Sequence, residues 1–200
     1  MPTDIHNFAP LTPQQGRLLV RLARFAIAKK LGQTASDPMV TLSHEPEDDI
    51  LNSNFGTFVT LTKAGRLRGC IGSLEAKEPL QESIRHNAIN AAFHDPRFKP
   101  LTAEELEAVH IEVSVLTPPQ PLSYRDGDDL LETLTPGEDG LIIGKGIMQA
   151  TFLPQVWQQL PDPQQFLTQL CLKAGLAADS WQQDKLKVET YRVQYFEETS

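Results

Sequence analysis

Phe58-Val59-Thr60-Leu61-Thr62-Lys63-Ala64-Gly65-Arg66-Leu67-Arg68-Gly69-Cys70-Ile71-Gly72-Ser73-Leu74 is the stretch on which the fold reading turns. β-Branched and aromatic residues crowd Phe55 to Thr62, which predicts a strand. Lys63 to Arg66 reads as a turn, and Leu67 to Leu74 returns as the partner strand of a hairpin. With a side-chain period of two, Leu67, Gly69 and Ile71 share one face, and Arg68, Cys70 and Gly72 the other. Leu67 and Ile71 suit a core, so Arg68 and Cys70 are expected to point away from it together. An arginine beside a thiol favours the thiolate. Gly69 and Gly72 each remove a packing side chain, which marks a bulge or a close approach to the backbone. The segment therefore predicts a partly open, electropositive thiol pocket, suited to an anionic ligand or to covalent chemistry. A lone cysteine in a strand is more often a small buried hydrophobe, and the residue pattern leaves both readings open.

Working outward, Thr12-Pro13-Gln14-Gln15 starts a helix with a capping box and a proline at the first helical position. Its stripe runs through Leu18, Leu22 and Ala26 to a stop at Gly32. Residues 33–54 read as loop, with a solvated acidic run at Glu45 to Asp49. A helix with the stripe Leu80, Ile84, Ala88, Ala91-Ala92 ends at Asp95-Pro96. A second capping box, Thr102 to Glu105, opens a short helix. His110 to Leu116 alternates as a strand, with Ile111, Val113 and Val115 on one face and Glu112 and Ser114 on the other. Pro118 to Pro121 is a stiff connector. Beyond it come a short helix over 128–134, strands at 141–143 and 147–153, a helix over 163–174 and a final strand over 186–196. Strands grouped as hairpins with helices between them predict an α+β fold with a mainly antiparallel sheet.

At 200 residues, the chain is long enough to bury a sizeable core without disulfides or metals. Acids outnumber bases, 26 to 18, which disfavours a grip on duplex nucleic acid. Met1 to His6 lacks the basic start and apolar run of a signal peptide, and no apolar stretch is long enough for a bilayer. A cytoplasmic protein with two reduced cysteines is expected, Cys171 lying on the apolar face of its helix.

Two further clusters carry candidate chemistry. In His94-Asp95-Pro96-Arg97-Phe98, His94 or Asp95 can serve as acid or base and Arg97 can hold an anion; the plainer alternative is an Asp-Pro turn with Arg97 paired to Asp95. Glu112 and Ser114 form the other cluster, where Glu112 opposite Arg68 or Arg97 would equally make a structural ion pair. Gly144-Lys145-Gly146 lacks the spacing of a phosphate-binding loop, and no H-E-x-x-H or C-x-x-C occurs, so no cofactor or metal site is expected.

The segments now quoted, with Leu153-Pro154-Gln155-Val156 and Lys173-Ala174-Gly175-Leu176 after them, closely resemble the AMMECR family in content and order. Its bacterial and archaeal members are called AmmeMemoRadiSam system protein A. The resemblance implies a domain over 17–196 after a flexible arm of residues 1–16. It also implies two lobes, with a boundary near 117–122 and an interlobe cleft. It places the functional site at Arg68, Gly69, Cys70 and Gly72. In the catalytic reading Cys70 reacts, assisted by Arg68, Asp95 and Glu112, while Gly69, Gly72, His94, Arg97 and Ser114 bind ligand. Separate Memo-type and radical SAM proteins are the implied partners, and a homodimer is compatible. Two readings follow: an enzyme or substrate-handling subunit of a redox or radical pathway, or a non-catalytic binding module for a small ligand, peptide or RNA.

Overall fold

The structure, a computed structural model, describes residues 10–34 and 50–198. The acidic run Glu45 to Asp49 and residues 1–9 of the expected arm lie outside the described residues. The chain divides into two units, one from Met1 to Leu116 together with Gln194 to Ser200, the other from Thr117 to Val193.

The first unit begins with α1 (Pro13–Lys30), so residues 13–16 belong to a helix rather than to an arm. Both halves of the Thr12–Gln15 capping box form, which satisfies two orphan donors of the first turn. The hairpin follows as β1 (Gly56–Lys63) and β2 (Arg66–Ser73). Ala64 and Gly65 both take positive φ, the turn geometry that matches the right-handed twist of paired strands. Next come α2 (Leu80–Phe93), α3 (Ala103–Leu106) and β3 (Val109–Leu116). The strand order in this sheet is β2-β1-β3-β8, where β8 is Val193–Glu197. Leu19, Leu22 and Ile27 of α1 and Leu80, Ile84 and Ala88 of α2 are fully buried with Val59, Leu61, Ile111 and Val113 of the sheet. One sheet face thus carries the core, as the alternation in β1 and β3 requires.

The second unit contains β4 (Gln120–Pro121), α4 (Gly127–Thr133), β5 (Gly140–Lys145), β6 (Met148–Phe152), α5 (Pro163–Lys173), α6 (Ser180–Gln183) and β7 (Lys187–Tyr191). Its four-stranded sheet has the order β4-β7-β5-β6. The core centres on Phe166, whose ring stacks on Trp157 with centroids 3.7 Å apart. Cys171 is fully buried there, as its helical face predicts.

The architecture is α+β with two antiparallel four-stranded sheets. Three details depart from the sequence reading. The stiff connector at 118–121 contributes the short strand β4. The 3-10 turn Pro154–Gln158 and the helix α6 were not foreseen. The final strand is two strands, β7 and β8, in different sheets. Alternation continues through Arg192, so the pattern carries no sign of the change of sheet.

Candidate functional site

Regular pairing from the turn sets Lys63 opposite Arg66 and Thr62 opposite Leu67, after which the register shifts and Leu61 faces Gly69. Arg68 is the extra residue of a β-bulge, one of the two outcomes that a glycine in a strand signals. The bulge breaks the period of two, and this corrects the expectation that Arg68 and Cys70 share a face. Arg68 turns instead to Glu105, with Nε donating at 3.3 Å and Nη2 at 2.9 Å. Nη2 also donates to the Lys99 carbonyl at 2.9 Å. Lys63, on the core-facing alternation of β1, donates to the same Glu105 carboxylate at 3.0 Å. The two cations, Arg68 first, hold the Glu105 carboxyl down at about 2. Leu67, expected in the core, is exposed at 44%.

Cys70 sits half-buried on β2, an outer strand in the order of this sheet. Its outward N–H donates to Asp95 Oδ2 at 2.9 Å, and its carbonyl accepts from Arg97 Nη2 at 3.2 Å. The two side chains bond to the Cys70 backbone as a neighbouring strand would, and so protect an open sheet edge. Arg97 binds Asp95 in turn through Nε at 2.9 Å and Nη2 at 2.7 Å, and its backbone N–H donates to the same carboxylate at 3.1 Å. The Arg97 bonds, with that from Cys70, hold the Asp95 carboxyl well below the ordinary carboxylate range. The Asp95 side chain is 1% exposed, covered by Arg97, whose own side chain is 53% exposed. Asp95 is therefore an ionised anchor for the Cys70 backbone. The guanidinium carbons of Arg68 and Arg97 lie 5.8 and 5.5 Å from the Phe98 ring centroid.

The thiol points to the sheet face opposite α2. Thr60, directly across on β1, donates from Oγ1 to Cys70 Sγ at 3.3 Å. Glu112 of β3 lies directly across Thr60 on its other side. Cys70, Thr60 and Glu112 thus form one row across three strands, with Phe58 and Ser114 in the next row. Glu112 lies across from Thr60 in the strand register, while Arg68 and Arg97 bind Glu105 and Asp95. Burial, then the neighbouring Glu197, pushes its carboxyl up, against the pull of His110 and the Ser114 hydroxyl. His94 is exposed at the C-cap of α2. A Cβ at Gly69 would lie 2.1 Å from the Ala91 carbonyl oxygen, and one at Gly72 would lie 2.3 Å from the Phe58 ring. Protein atoms thus take the space beside both glycines.

Thr60 and Glu105 are the participants that the sequence reading did not assign to this region. The sequence assigns Glu105 to the capping box of α3, and it does close that box with the N-cap Thr102. Counting back from the turn sets Thr60 opposite Gly69; the bulge moves Cys70 into that place. Among the described residues no group of three His, Cys, Asp or Glu side chains is arranged to hold a metal ion.

The two depressed carboxyls predict acid sensitivity. A carboxyl whose folded value is lowered stabilises the fold above its unfolded value and loses that contribution as pH falls towards its folded value. The ordinary values are 3.8 for Asp95 and 4.5 for Glu105. Urea unfolding is therefore expected to show a loss on the order of 2 kcal/mol between about pH 5 and pH 2. Glu105→Gln should flatten that slope; an unchanged slope would show that the Glu105 ion pairs contribute nothing.

Comparison with known proteins shows the family. The AMMECR1 family model matches residues 20–196. A protein of Methanothermobacter thermautotrophicus is 40% identical over 195 residues, covering 96% of this chain and 98% of its own. One from Methanocaldococcus jannaschii is 39% identical over 191 residues, with 94% and 92% covered. The crystal structure of an uncharacterised protein from Pyrococcus horikoshii superposes with a TM-score of 0.78 at 38% identity, covering 94% of this chain and 93% of that one. Among the described residues no helix is long and apolar enough to cross a membrane. With a family match running from within α1 into β8, hairpin and Cys70 included, the chain belongs to the AMMECR1 family.

Proposed function

We propose that this chain is an enzyme or substrate-handling subunit of a redox or radical pathway, acting with separate Memo-type and radical SAM proteins, and that Cys70 is its reacting group. The observation that carries this reading is the way Cys70 is held. Its backbone is bonded by Asp95 and Arg97, the residue is half-buried, and its sulfur accepts from Thr60. Cys171, by contrast, is fully buried in the second core.

The first test is thiol labelling. Native protein is expected to take up one equivalent of iodoacetamide, at Cys70. Cys171 should react only after unfolding, because burial pushes its thiol up and closes access to it. Labelling of Cys70 only in denaturant would return it to a packing role. Anaerobic pull-down with Memo-type and radical SAM proteins, and metabolite comparison in a Cys70→Ala strain, then test the pathway.

A binding module for a small ligand, peptide or RNA is the second reading. It is favoured by the commitment of Arg68 to Glu105 and of Asp95 to Arg97, which leaves exposed Arg97 and His94 as contacts. Cys70→Ser separates the two, since a binding module keeps its cellular function without the thiol.

A further inference from the structure

We propose that the outer edge of β6 is an interface between two copies of this chain, which pair β6 against β6 antiparallel and so join their second-unit sheets. None of the residues around Cys70 takes part, and the interface stands or falls apart from the reading of that residue.

The hairpin geometry sets which backbone groups face outward. β5 and β6 are joined by the two-residue turn Gly146-Ile147, with Gly146 at a φ of 64°. Lys145 and Met148, which flank that turn, form a hydrogen-bonded pair, and by alternation so do Ile143 with Ala150 and Leu141 with Phe152. β6 is the last strand of its sheet, so the N–H and C=O groups of Gln149 and Thr151 point away from the sheet. Lys173 Nζ donates to the Thr151 carbonyl from that side at 2.9 Å. That oxygen keeps a second lone pair, and among the described residues no other hydrogen bond meets these outward groups.

A free sheet edge ordinarily carries something that keeps another strand from joining it. β4 is two residues long and contains Pro121. β2 has the bulge at Arg68 and the Asp95 and Arg97 bonds on Cys70. β8 ends in Glu197, whose side chain is 71% exposed. β6 runs Met148-Gln149-Ala150-Thr151-Phe152, with no charge, proline or glycine and an unbroken register. Ile147, just before it, is fully exposed, and Met148 is exposed as well. An uncharged edge with an apolar start suits an added strand.

The strand is complementary to itself, which points to a second copy as the occupant. With Gln149 of one copy opposite Thr151 of the other, each such pair exchanges both N–H···O bonds. A twofold axis then passes between the two Ala150 residues, and the contact is isologous. Met148 lies across from Phe152 of the other copy on both sides of the axis, a thioether against an aromatic ring. Small side chains meet at the axis, and no charge within β6 faces a like charge. The neighbouring register, Gln149 against Gln149, would leave Phe152 with no residue of β6 across from it.

The test is sedimentation velocity of the full chain over a concentration series. A passage from monomer to dimer is expected at micromolar or higher concentration, as for interfaces at the small end of the size range. Gln149→Pro removes an outward N–H and leaves the β5–β6 ladder whole, because that donor is not used in it. It should weaken association roughly thirtyfold, the worth of two symmetry-related hydrogen bonds. Gln149→Ala, which keeps the N–H, should associate like the wild type. Circular dichroism checks folding. Ala150→Cys gives an independent readout should Gln149→Pro fail to fold: mild oxidation should link the two copies through position 150, as peptide mapping would show. A chain that stays monomeric throughout, a dimer that survives Gln149→Pro, or a dimer that Ala150→Cys does not link would overturn the proposal.

Discussion

Gly69→Ala is expected to lower the unfolding free energy by about 3 kcal/mol, the upper part of the range for an overpacked site. The helix α2 passes so close to β2 that a methyl group at position 69 would lie 2.1 Å from the Ala91 carbonyl oxygen. A flexible side chain could swing aside, but a backbone carbonyl in the last turn of a packed helix moves only with that turn. Ala91 belongs to the buried stripe of α2 with Leu80, Ile84 and Ala88, so moving the helix loosens the first core. Urea unfolding measures the effect, with Gly144→Ala as control. There the nearest atom to the new Cβ is 3.5 Å away, an ordinary contact, and the change should be neutral or slightly stabilising. Iodoacetamide labelling of the folded Gly69→Ala chain should also become less selective, because Cys70 is the next residue. A Gly69→Ala chain as stable as the wild type would mean that α2 and β2 are not packed as described.

Arg24→Ala is expected to cost about as much, roughly 3 kcal/mol, because it leaves a largely covered carboxylate without its partner. Arg24 projects from α1 and gathers three distant segments. Its Nη1 donates to the Leu106 carbonyl at 2.8 Å and its Nη2 to the Val109 carbonyl at 2.7 Å. Nε and Nη2 bind the two oxygens of Glu198, the latter at 2.7 Å. Glu198 in turn accepts from the Ile111 N–H at 3.0 Å. The Arg24 and Glu198 side chains are 31% and 21% exposed, covered enough for the pair to escape most solvent screening. Glu198→Ala should cost a similar amount. The double variant should cost less than the sum, because both singles break the same contact. Additive losses would show that the two residues act independently.

How far the sequence was legible follows from the range of each interaction. Both capping boxes, at Thr12 and Thr102, were readable because donor and acceptor lie three residues apart. The hairpin turn was readable from Ala64-Gly65 and the alternation around it. The Arg97–Asp95 pair was visible as one of two alternatives for its segment. The partner of Arg68 was not, because the bulge depends on a clash-free approach of α2 to Gly69. The Cys70 amide was equally hidden, since its acceptor, Asp95, lies 25 residues further along the chain.

The sequence alone determined which segments become helix or strand across most of the chain, where α1 and α3 begin, and that Cys171 is buried. These follow from local backbone preference and from apolar periodicity. Only the tertiary structure decided that Arg68 leaves Cys70 for Glu105, that Asp95 and Arg97 hold the Cys70 backbone, and that Thr60 stands between Cys70 and Glu112. It also decided that one alternating run, 186–196, serves two different sheets. A single extra residue in a strand, or a change of sheet at Arg192, leaves composition and alternation unaltered. Such features are set by which distant backbone packs against the strand, and that is known only once the chain has folded.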